Sequence, residues 1–428
     1  MPNKNNHLLL FLTANIALLA FLTSGGPVLL PDSQGYLSLD KLRGFPYPLF
    51  LSALHLLAPK YFLSLAALAQ TAAVLCAATL LCRELGVRLR WNTGISLLAY
   101  GIALLPLFNF PLCAVCQDIG NTISTEAIAY AAFLLACAAG FRALCEPQLK
   151  ILIMLAFGTA LCAAIRPQLL FTYPVLVSIL LVLRYTKKTS TLKLSVSLLA
   201  LLLFHTSFGL AQNFYSGSAR NPFMRQQLLT TVLYVSEPED ARLFAQSRHY
   251  ATIEKVFMRM AEHNSFAKDR HHHQRSLAEH HGLGFDPICW SALHQSFVMD
   301  IGPELSENER LTMLKQAYGE MLITLLPLKW KPLLKTYVFI LWQNSSLTVL
   351  AVLGFMLFFM RVYDLSLPGN LFALMAWLCA VLNLLTLALS ATVEPRYLIY
   401  THTPVLLSLL GLFNSWMSSG HRAAAHEH

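Results

Sequence analysis

The chain has 428 residues, of which 56% are hydrophobic and only 12% are charged. Soluble globular domains carry roughly 25% charged residues, so this composition excludes an ordinary soluble enzyme and indicates an integral membrane protein. The net charge is +9, and most of the nine cysteines lie inside apolar runs. Such cysteines are typical of small buried side chains rather than of a disulfide framework.

Apolar runs of the length that a membrane helix needs, roughly 20 residues, recur along the chain. The predicted spans cover residues 8–24, 61–82, 93–112, 122–141, 150–165, 168–183, 194–212, 346–361, 370–390 and 397–417. The first run lacks a small-residue cleavage site, so we expect an uncleaved membrane helix rather than a signal peptide. Two more stretches, 47–58 and 321–342, are short or basic and fit interfacial or re-entrant helices. The sequence therefore predicts an all-α polytopic membrane protein with about ten transmembrane helices.

The distribution of Lys and Arg predicts the orientation in the membrane. With the N-terminus in the cytoplasm, basic residues concentrate in the inner loops near 83–90, 142–150 and 184–193, and the short outer connections are poor in them. This asymmetry is the one that the positive-inside rule describes. The predicted domains are an N-terminal transmembrane module at 1–212, an extracytoplasmic helical segment at 213–345 and C-terminal transmembrane helices at 346–428.

The extracytoplasmic segment has the pattern of helices. Residues 239–244 and the series Ile253, Val256, Phe257 and Met260 have helical spacing. Ser306 and Glu309 have the spacing of a capping box at a helix start. Trp330 stands among lysines and leucines, which predicts a helix lying on the outer leaflet.

Ionisable residues are predicted to gather near the outer membrane face, where charged groups are costly and frequently functional. They are Asp32 after the first span, Asp118 and Glu126 around the start of the fourth, Arg166 at the end of the fifth, and Glu394 and Arg396 before the last. The alternative for each is an interfacial residue wetted by water and headgroups. Helix-end charges must fall on one face or the other, so both interpretations stay open.

Four short motifs occur in the order and on the side typical of one enzyme family. They are PDSQGYL at 31–37 followed by GFPYPLFL at 44–51, TEA at 125–127, IRPQ at 165–168 and EPRYL at 394–398. Together they resemble C-type (GT-C superfold) membrane glycosyltransferases, which take a sugar from a polyprenyl-phosphate carrier. The resemblance covers residues 1–212 and 346–417, and segment 213–345 departs from it.

The resemblance implies a hexosyl- or pentosyltransferase and assigns expected roles to matching residues. Asp32 would be the general base and Glu126 would orient the acceptor or the donor. Substrate-binding candidates are Arg166 and Arg396 for the phosphate, with Tyr397, Tyr36 and Glu394 beside them. Arginine suits this role because its planar guanidinium binds phosphate oxygens in pairs. The alternatives are interfacial snorkelling for the arginines, aromatic-belt or packing roles for the tyrosines, and simple pairing with an arginine for the glutamates.

Two clusters invite a metal hypothesis. His271–His273, with His280 and His281, form a His-rich tract, yet a solvated basic helix or loop is the favoured interpretation. Cys113 and Cys116 form a C-x-x-C pair without the second pair that a zinc site needs. No metal is required by the sequence, and the resemblance leaves a divalent cation open as a cofactor.

Two other functions compete with the transferase. A transporter or flippase of a lipid-linked saccharide would show repeats and charges near mid-bilayer, and a non-catalytic cell-envelope assembly protein would suit the large outer segment. The expected partners of a transferase are the lipid-linked donor, a lipid, glycan or protein acceptor, and the bilayer, but no nucleic acid. A bacterial inner membrane is the expected location, with segment 213–345 periplasmic or extracellular.

Overall fold

The computed structural model describes residues 4–30, 32–38, 44–108, 119–216, 223–269, 277–300, 305–343, 367–390 and 399–424. The prediction of an all-helical fold is confirmed for this part of the chain, since it contains no strand beyond a single parallel bridge between Val28 and Thr122. The chain forms two compact units. The first comprises Met1–Gln212, Val349–Asn383 and Pro395–His428, and the second comprises Asn213–Thr348 and Leu384–Glu394.

Apart from the short α2, the helices of the first unit follow the predicted apolar runs. They are α1 (Lys4–Thr23), α2 (Ser33–Leu37), α3 (Pro46–Leu57), α4 (Phe62–Leu89), α5 (Thr93–Leu104), α6 (Glu126–Cys145), α7 (Leu149–Ile165), α8 (Thr172–Tyr185) and α9 (Thr191–Ser216). The helices near the C-terminus, which we number last, are α15 (Pro368–Ser390) and α16 (Ile399–Ala424).

Five helical stretches within the described residues are long and apolar enough to cross a membrane. They are Phe62–Leu89, Glu126–Cys145, Pro167–Tyr185, Thr191–Tyr215 and Pro368–Thr386. This number of long apolar helices indicates association with a membrane. The predicted total of about ten spans stays a prediction, and the predicted span 346–361 lies outside the described residues.

The centre of the first unit is the pair α4 and α6, which run in the same direction. Near the start of both helices, Gln70 of α4 contacts the segment that leads into α6. At the other end, Arg88 contacts Glu146 at 3.2 Å, and Glu84 contacts Arg142 at 3.4 Å. The buried face of α6 is rich in alanine and includes Gly140, and small residues let membrane helices approach closely.

The predicted break between 150–165 and 168–183 is present. Helix α7 ends at Ile165, Arg166 is extended with φ −145° and ψ 113°, and a 3₁₀ turn at Pro167–Phe171 leads into α8. A proline disfavours the helical conformation in the residue before it, so Pro167 explains why Arg166 leaves the helix.

The second unit contains α10 (Phe223–Tyr234), α11 (Tyr250–Glu262), α12 (Leu277–Asp286), α13 (Gln295–Asp300) and α14 (Glu307–Gln343), with a π-helix at Pro287–His294. The four residues predicted as the apolar face of α11 are buried. Ser306 and Glu309 form the predicted capping box, because each binds the other's backbone N–H. Residues 239–244 lie in a 3₁₀ turn at Pro238–Phe244 rather than in an α-helix.

Two described histidines correct the interpretation of the His-rich tract. His280 and His281 are only 4% and 3% exposed, so they do not belong to a solvated surface. The His280 ring lies 3.1 Å from the Tyr234 hydroxyl and 3.2 Å from the Asn264 carbonyl oxygen, and His281 packs edge-on against the ring of Tyr234. His271–His273 lie outside the described residues.

Candidate functional site

The loop that carries Asp32 is fixed by hydrogen bonds to the segment before α6. The Val28 N–H donates to the Asn121 carbonyl at 2.8 Å, and the Ile123 N–H donates to the Val28 carbonyl at 2.9 Å. The buried Ser33 hydroxyl donates to the Ile123 carbonyl at 2.7 Å. Asp32, directly before Ser33, is half-buried at the start of α2. The carboxylate is therefore on an anchored turn rather than on a free loop.

A buried glutamine holds the same segment from the other side. The Gln70 Nε2 donates to the carbonyl oxygens of Gly120 and Thr122 at 2.6 and 2.7 Å, and the Tyr47 hydroxyl donates to Gln70 Oε1 at 3.0 Å. The rings of Tyr47 and Tyr36 pack edge to face with their centroids 5.1 Å apart. Because buried polar groups are costly without partners, this network fixes α3, α4 and the 119–123 segment together.

Arg166 and Glu126 form an ion pair shielded from solvent. Arg166 Nη1 lies 2.7 Å from Glu126 Oε1, and the two side chains are 11% and 10% exposed. The same nitrogen donates to the Thr125 hydroxyl at 3.2 Å, and Arg166 Nε donates to Gln168. The extended backbone at Arg166 turns its side chain away from the axis of α7 and toward the start of α6.

Thr125 links these two groups of residues. Its hydroxyl accepts from Arg166 and lies 3.5 Å from the Tyr36 hydroxyl, at the outer limit of a hydrogen bond. Three predicted site residues, Tyr36, Glu126 and Arg166, are thus brought together, and Asp32 lies in the same anchored loop as Tyr36.

Helix α16 begins at the same end of the first unit. The Tyr130 hydroxyl, one turn into α6, lies 2.8 Å from the Thr403 hydroxyl, one turn into α16. Near the opposite end, a Cβ on Gly411 would lie 3.4 Å from Leu89 at the end of α4. Helices α6 and α16 are therefore parallel and begin at the same level. The other predicted residues, Asp118, Glu394, Arg396 and Tyr397, lie outside the described residues, as do Cys113 and Cys116.

Sequence reasoning overlooked Gln70, Tyr47, Ser33 and Thr125. Gln70 gave a usable signal, because it interrupts the apolar run of α4 and polar residues at membrane depth are usually functional or structural anchors. Its two backbone partners gave no signal, since they are carbonyl groups about fifty residues away in the sequence. Ser33 and Thr125 lie inside the motifs at 31–37 and 125–127, but neither is charged, so neither stands out in the sequence as Asp32 and Glu126 do.

The arrangement has the chemistry of an anion site beside a carboxylate. A guanidinium that is held rigidly in a poorly solvated place can bind phosphate oxygens strongly, and in this structure Glu126 neutralises its charge. In the part of the chain that the structure describes, no three or more His, Cys, Asp or Glu side chains form a group that could hold a metal ion.

No protein-family model, curated protein or solved structure matches this chain.

Proposed function

We propose that this chain is a membrane glycosyltransferase that moves a sugar from a polyprenyl-phosphate carrier to an acceptor at the extracytoplasmic face, in a bacterial inner membrane. The observation that supports it is the attachment of the Asp32 loop to the segment that opens α6, where Glu126 and Thr125 hold Arg166. A carboxylate and a guanidinium anchored to the same backbone segment are suited to an acceptor hydroxyl and a leaving phosphate.

In the proposed reaction, Asp32 accepts the proton of the acceptor hydroxyl. The hydroxyl oxygen then forms a bond to the anomeric carbon of the sugar, and the bond from that carbon to the phosphate oxygen breaks. The electron pair of the broken bond leaves with the polyprenyl phosphate, and the transition state has oxocarbenium character. A general base must lie about 2.6–3.2 Å from the hydroxyl oxygen whose proton it accepts. The hydrogen bonds that anchor the loop restrict the movement of Asp32 and so help to keep it within this distance.

Arg166 stabilises the departing phosphate in this proposal. The leaving group gains negative charge as the bond breaks, and a preorganised cation lowers the energy of that state without having to move. Thr125 and Gln168 fix the guanidinium, so most of its orientation is set before the substrate arrives.

The test is Asp32→Asn in the full-length protein, purified and reconstituted with a radiolabelled polyprenyl-phosphate sugar. Removing a general base is expected to lower the transfer rate by about 10²–10⁴-fold. Asp286→Asn removes a carboxylate from an exposed position of the second unit and should retain the wild-type rate. Transfer by Asp32→Asn at the wild-type rate would show that Asp32 is not the base.

The same donor, given to the purified protein in detergent, separates an enzyme from a transporter of lipid-linked saccharides. In detergent micelles no membrane separates two compartments, so a transferase still forms glycosylated product and releases polyprenyl phosphate. A flippase forms no new covalent product under these conditions, and the labelled sugar stays on its carrier.

A further inference from the structure

Helix α14 changes the character of its exposed surface along its length. In its first part the exposed positions are Glu309, Thr312 and Gln316. Beyond Glu320 most of the exposed positions are apolar, with Ile323 78% and Trp330 51% exposed. The opposite face stays buried throughout, with residues such as Tyr318 and Leu325. Packing within the second unit therefore explains the buried face of α14, whereas contact of the exposed apolar face with water is unfavourable.

Five of the exposed apolar residues form one continuous stripe. They are Ile323, Pro327, Trp330, Leu334 and Val338, whereas Leu328 and Pro332 are exposed on other sides of the helix. Their spacings of four, three, four and four residues keep them on the same side of a helix. We call this surface the Trp330 stripe. Exposed apolar surfaces that are contiguous and bordered by polar residues mark contacts with proteins or membranes.

Positive charge borders this stripe. Lys331 and Lys335, each one residue past a stripe residue and therefore about 100° around the helix, are exposed along one edge. The Lys331 ammonium lies 5.6 Å from the centre of the Trp330 ring. Lys329 is held by Asp240 at 2.6 Å on the protected side. From Met321 to Gln343 the sequence contains no Asp or Glu, so no acidic residue of this stretch neutralises the positive charge of Lys331 and Lys335.

We propose that the Trp330 stripe lies on a bilayer surface that contains anionic phospholipid. A helix with an apolar face, an aromatic residue and a lysine border sits in the headgroup region, where its apolar side chains reach the acyl boundary and its lysines meet lipid phosphates. Tryptophan prefers this boundary because its ring is amphipathic. A protein partner would need acidic groups opposite the lysines, whereas a leaflet supplies them along the whole stripe. The proposal does not depend on the proposed transferase activity.

The first test measures the contact between Trp330 and lipid in the full-length protein. The protein is placed in nanodiscs of phosphatidylcholine and phosphatidylglycerol, with lipids brominated close to the headgroup as fluorescence quenchers. Subtracting the emission of Trp330→Phe from that of the wild type gives the signal of Trp330. The same subtraction with Trp290→Phe gives a reference signal from Trp290, a partly exposed tryptophan of the same unit. We expect bromolipid to quench the Trp330 signal several-fold more than the Trp290 signal.

Two outcomes of this test overturn the proposal. One is equal quenching of Trp330 and Trp290 by bromolipid. The other is a Trp330 signal that is shielded from aqueous acrylamide yet insensitive to bromolipid, which means that a second copy or another protein covers the stripe.

The second test addresses the anionic lipid. Each lysine near an anionic leaflet contributes about fivefold to surface binding, so Lys331→Gln with Lys335→Gln should reduce quenching of Trp330 in discs with phosphatidylglycerol and remove its salt dependence. Lys268→Gln with Lys315→Gln removes the same charge away from the stripe and should leave quenching unchanged. Equal quenching by both double variants would overturn the role of anionic lipid.

Discussion

The pair of Arg166 and Glu126 is the most informative contact at the scale of single residues. Both side chains are about nine-tenths shielded from solvent, so the removal of one leaves the other charged in a poorly solvated place without this ion pair. We expect Glu126→Gln or Arg166→Met to lower the free energy of unfolding by about 3–5 kcal/mol. The double variant should lose clearly less than the sum of the two, as measured by thermal unfolding in detergent.

The chain offers a matched control at the other end of α6. Glu84 and Arg142 are 3.4 Å apart, with side chains 24% and 42% exposed, so water screens them more. The double-mutant cycle of Glu84→Gln and Arg142→Met should give a coupling free energy of about 1 kcal/mol or less. A coupling as small for Arg166 and Glu126 would contradict the interpretation of a shielded pair.

His281 makes stability depend on pH. Burial, with the neighbouring His280, lowers the pKa of His281 from 6.5 to about 4. Below about pH 6.5 the imidazole of His281 binds a proton in the unfolded chain but stays neutral in the folded protein. The contribution of His281 to the free energy of unfolding is therefore complete above about pH 6.5 and is lost as the pH falls toward about 4. The loss is at most about 3 kcal/mol.

Comparison with a variant isolates this histidine from the other titrating groups. His281→Leu should unfold at a less pH-dependent temperature than the wild type between pH 7 and 4.5. His263→Leu, at an exposed position, should follow the wild type. Parallel curves for His281→Leu and the wild type would show that His281 does not cause the acid loss.

Gly44 matters at the scale of elements, because it lets the start of α3 approach the end of α7. A Cβ at this position would lie 3.1 Å from the Ala164 carbonyl oxygen, and a helix backbone has little room to retreat. The next residue, Phe45, donates its N–H to Gln212 of α9 at 2.8 Å. Gly44→Ala should therefore destabilise the fold by about 1–3 kcal/mol, seen as a lower midpoint of thermal unfolding.

Gly101 in α5 is the control for this substitution. No atom lies within 4 Å of the Cβ that Gly101→Ala would add, and alanine is the better helix former by about 1 kcal/mol. Gly101→Ala should thus be neutral or stabilising. If Gly44→Ala behaved in the same way, α3 and α7 would not be held at the distance described.

The sequence predicted elements where local chemistry decides them. Pro167 ended α7, and Ser306 with Glu309 capped α14. The predictions were wrong where contacts between distant residues determine the environment. His280 and His281 are buried against Tyr234, which lies over forty residues away in the sequence. At 239–244 the helical spacing was right but the turn is 3₁₀, with Pro238 and a capping box of Glu237 and Asp240 at its start.

The same division holds for the candidate site. Its charged members were found from motifs, because charge inside an apolar sequence is conspicuous. The hydrogen bonds that join these members were not predicted. Gln70, Ser33 and Thr125 bond to groups that lie far along the chain, and the sequence does not show such pairings. Stretch 321–342 was expected as an interfacial or re-entrant helix, and in the structure it belongs to α14, which runs for 37 residues from Glu307 with Pro327 and Pro332 inside it.

The orientation of the whole molecule is a prediction that reporter fusions can check. The positive-inside rule assigns the loop at Lys187 to the cytoplasm and the segment at Asn264 to the outside. Alkaline phosphatase fused after Asn264 and green fluorescent protein fused after Lys187 should both be active, and the exchanged fusions should both be inactive. The reverse pattern would place the Asp32 loop on the cytoplasmic face.

The parallel course of α6 and α16 has an electrostatic consequence for the end where Arg166 lies. Each α-helix carries a dipole with about half a positive charge at its N-terminus, and α6 and α16 both begin at this end. The two positive ends reinforce each other, but α5 and α7 end at the same level, so their negative ends offset them. The dipoles therefore act locally: the start of α6 favours the negative charge of Glu126 in its first turn, and the end of α7 favours the positive charge of Arg166, which directly follows it.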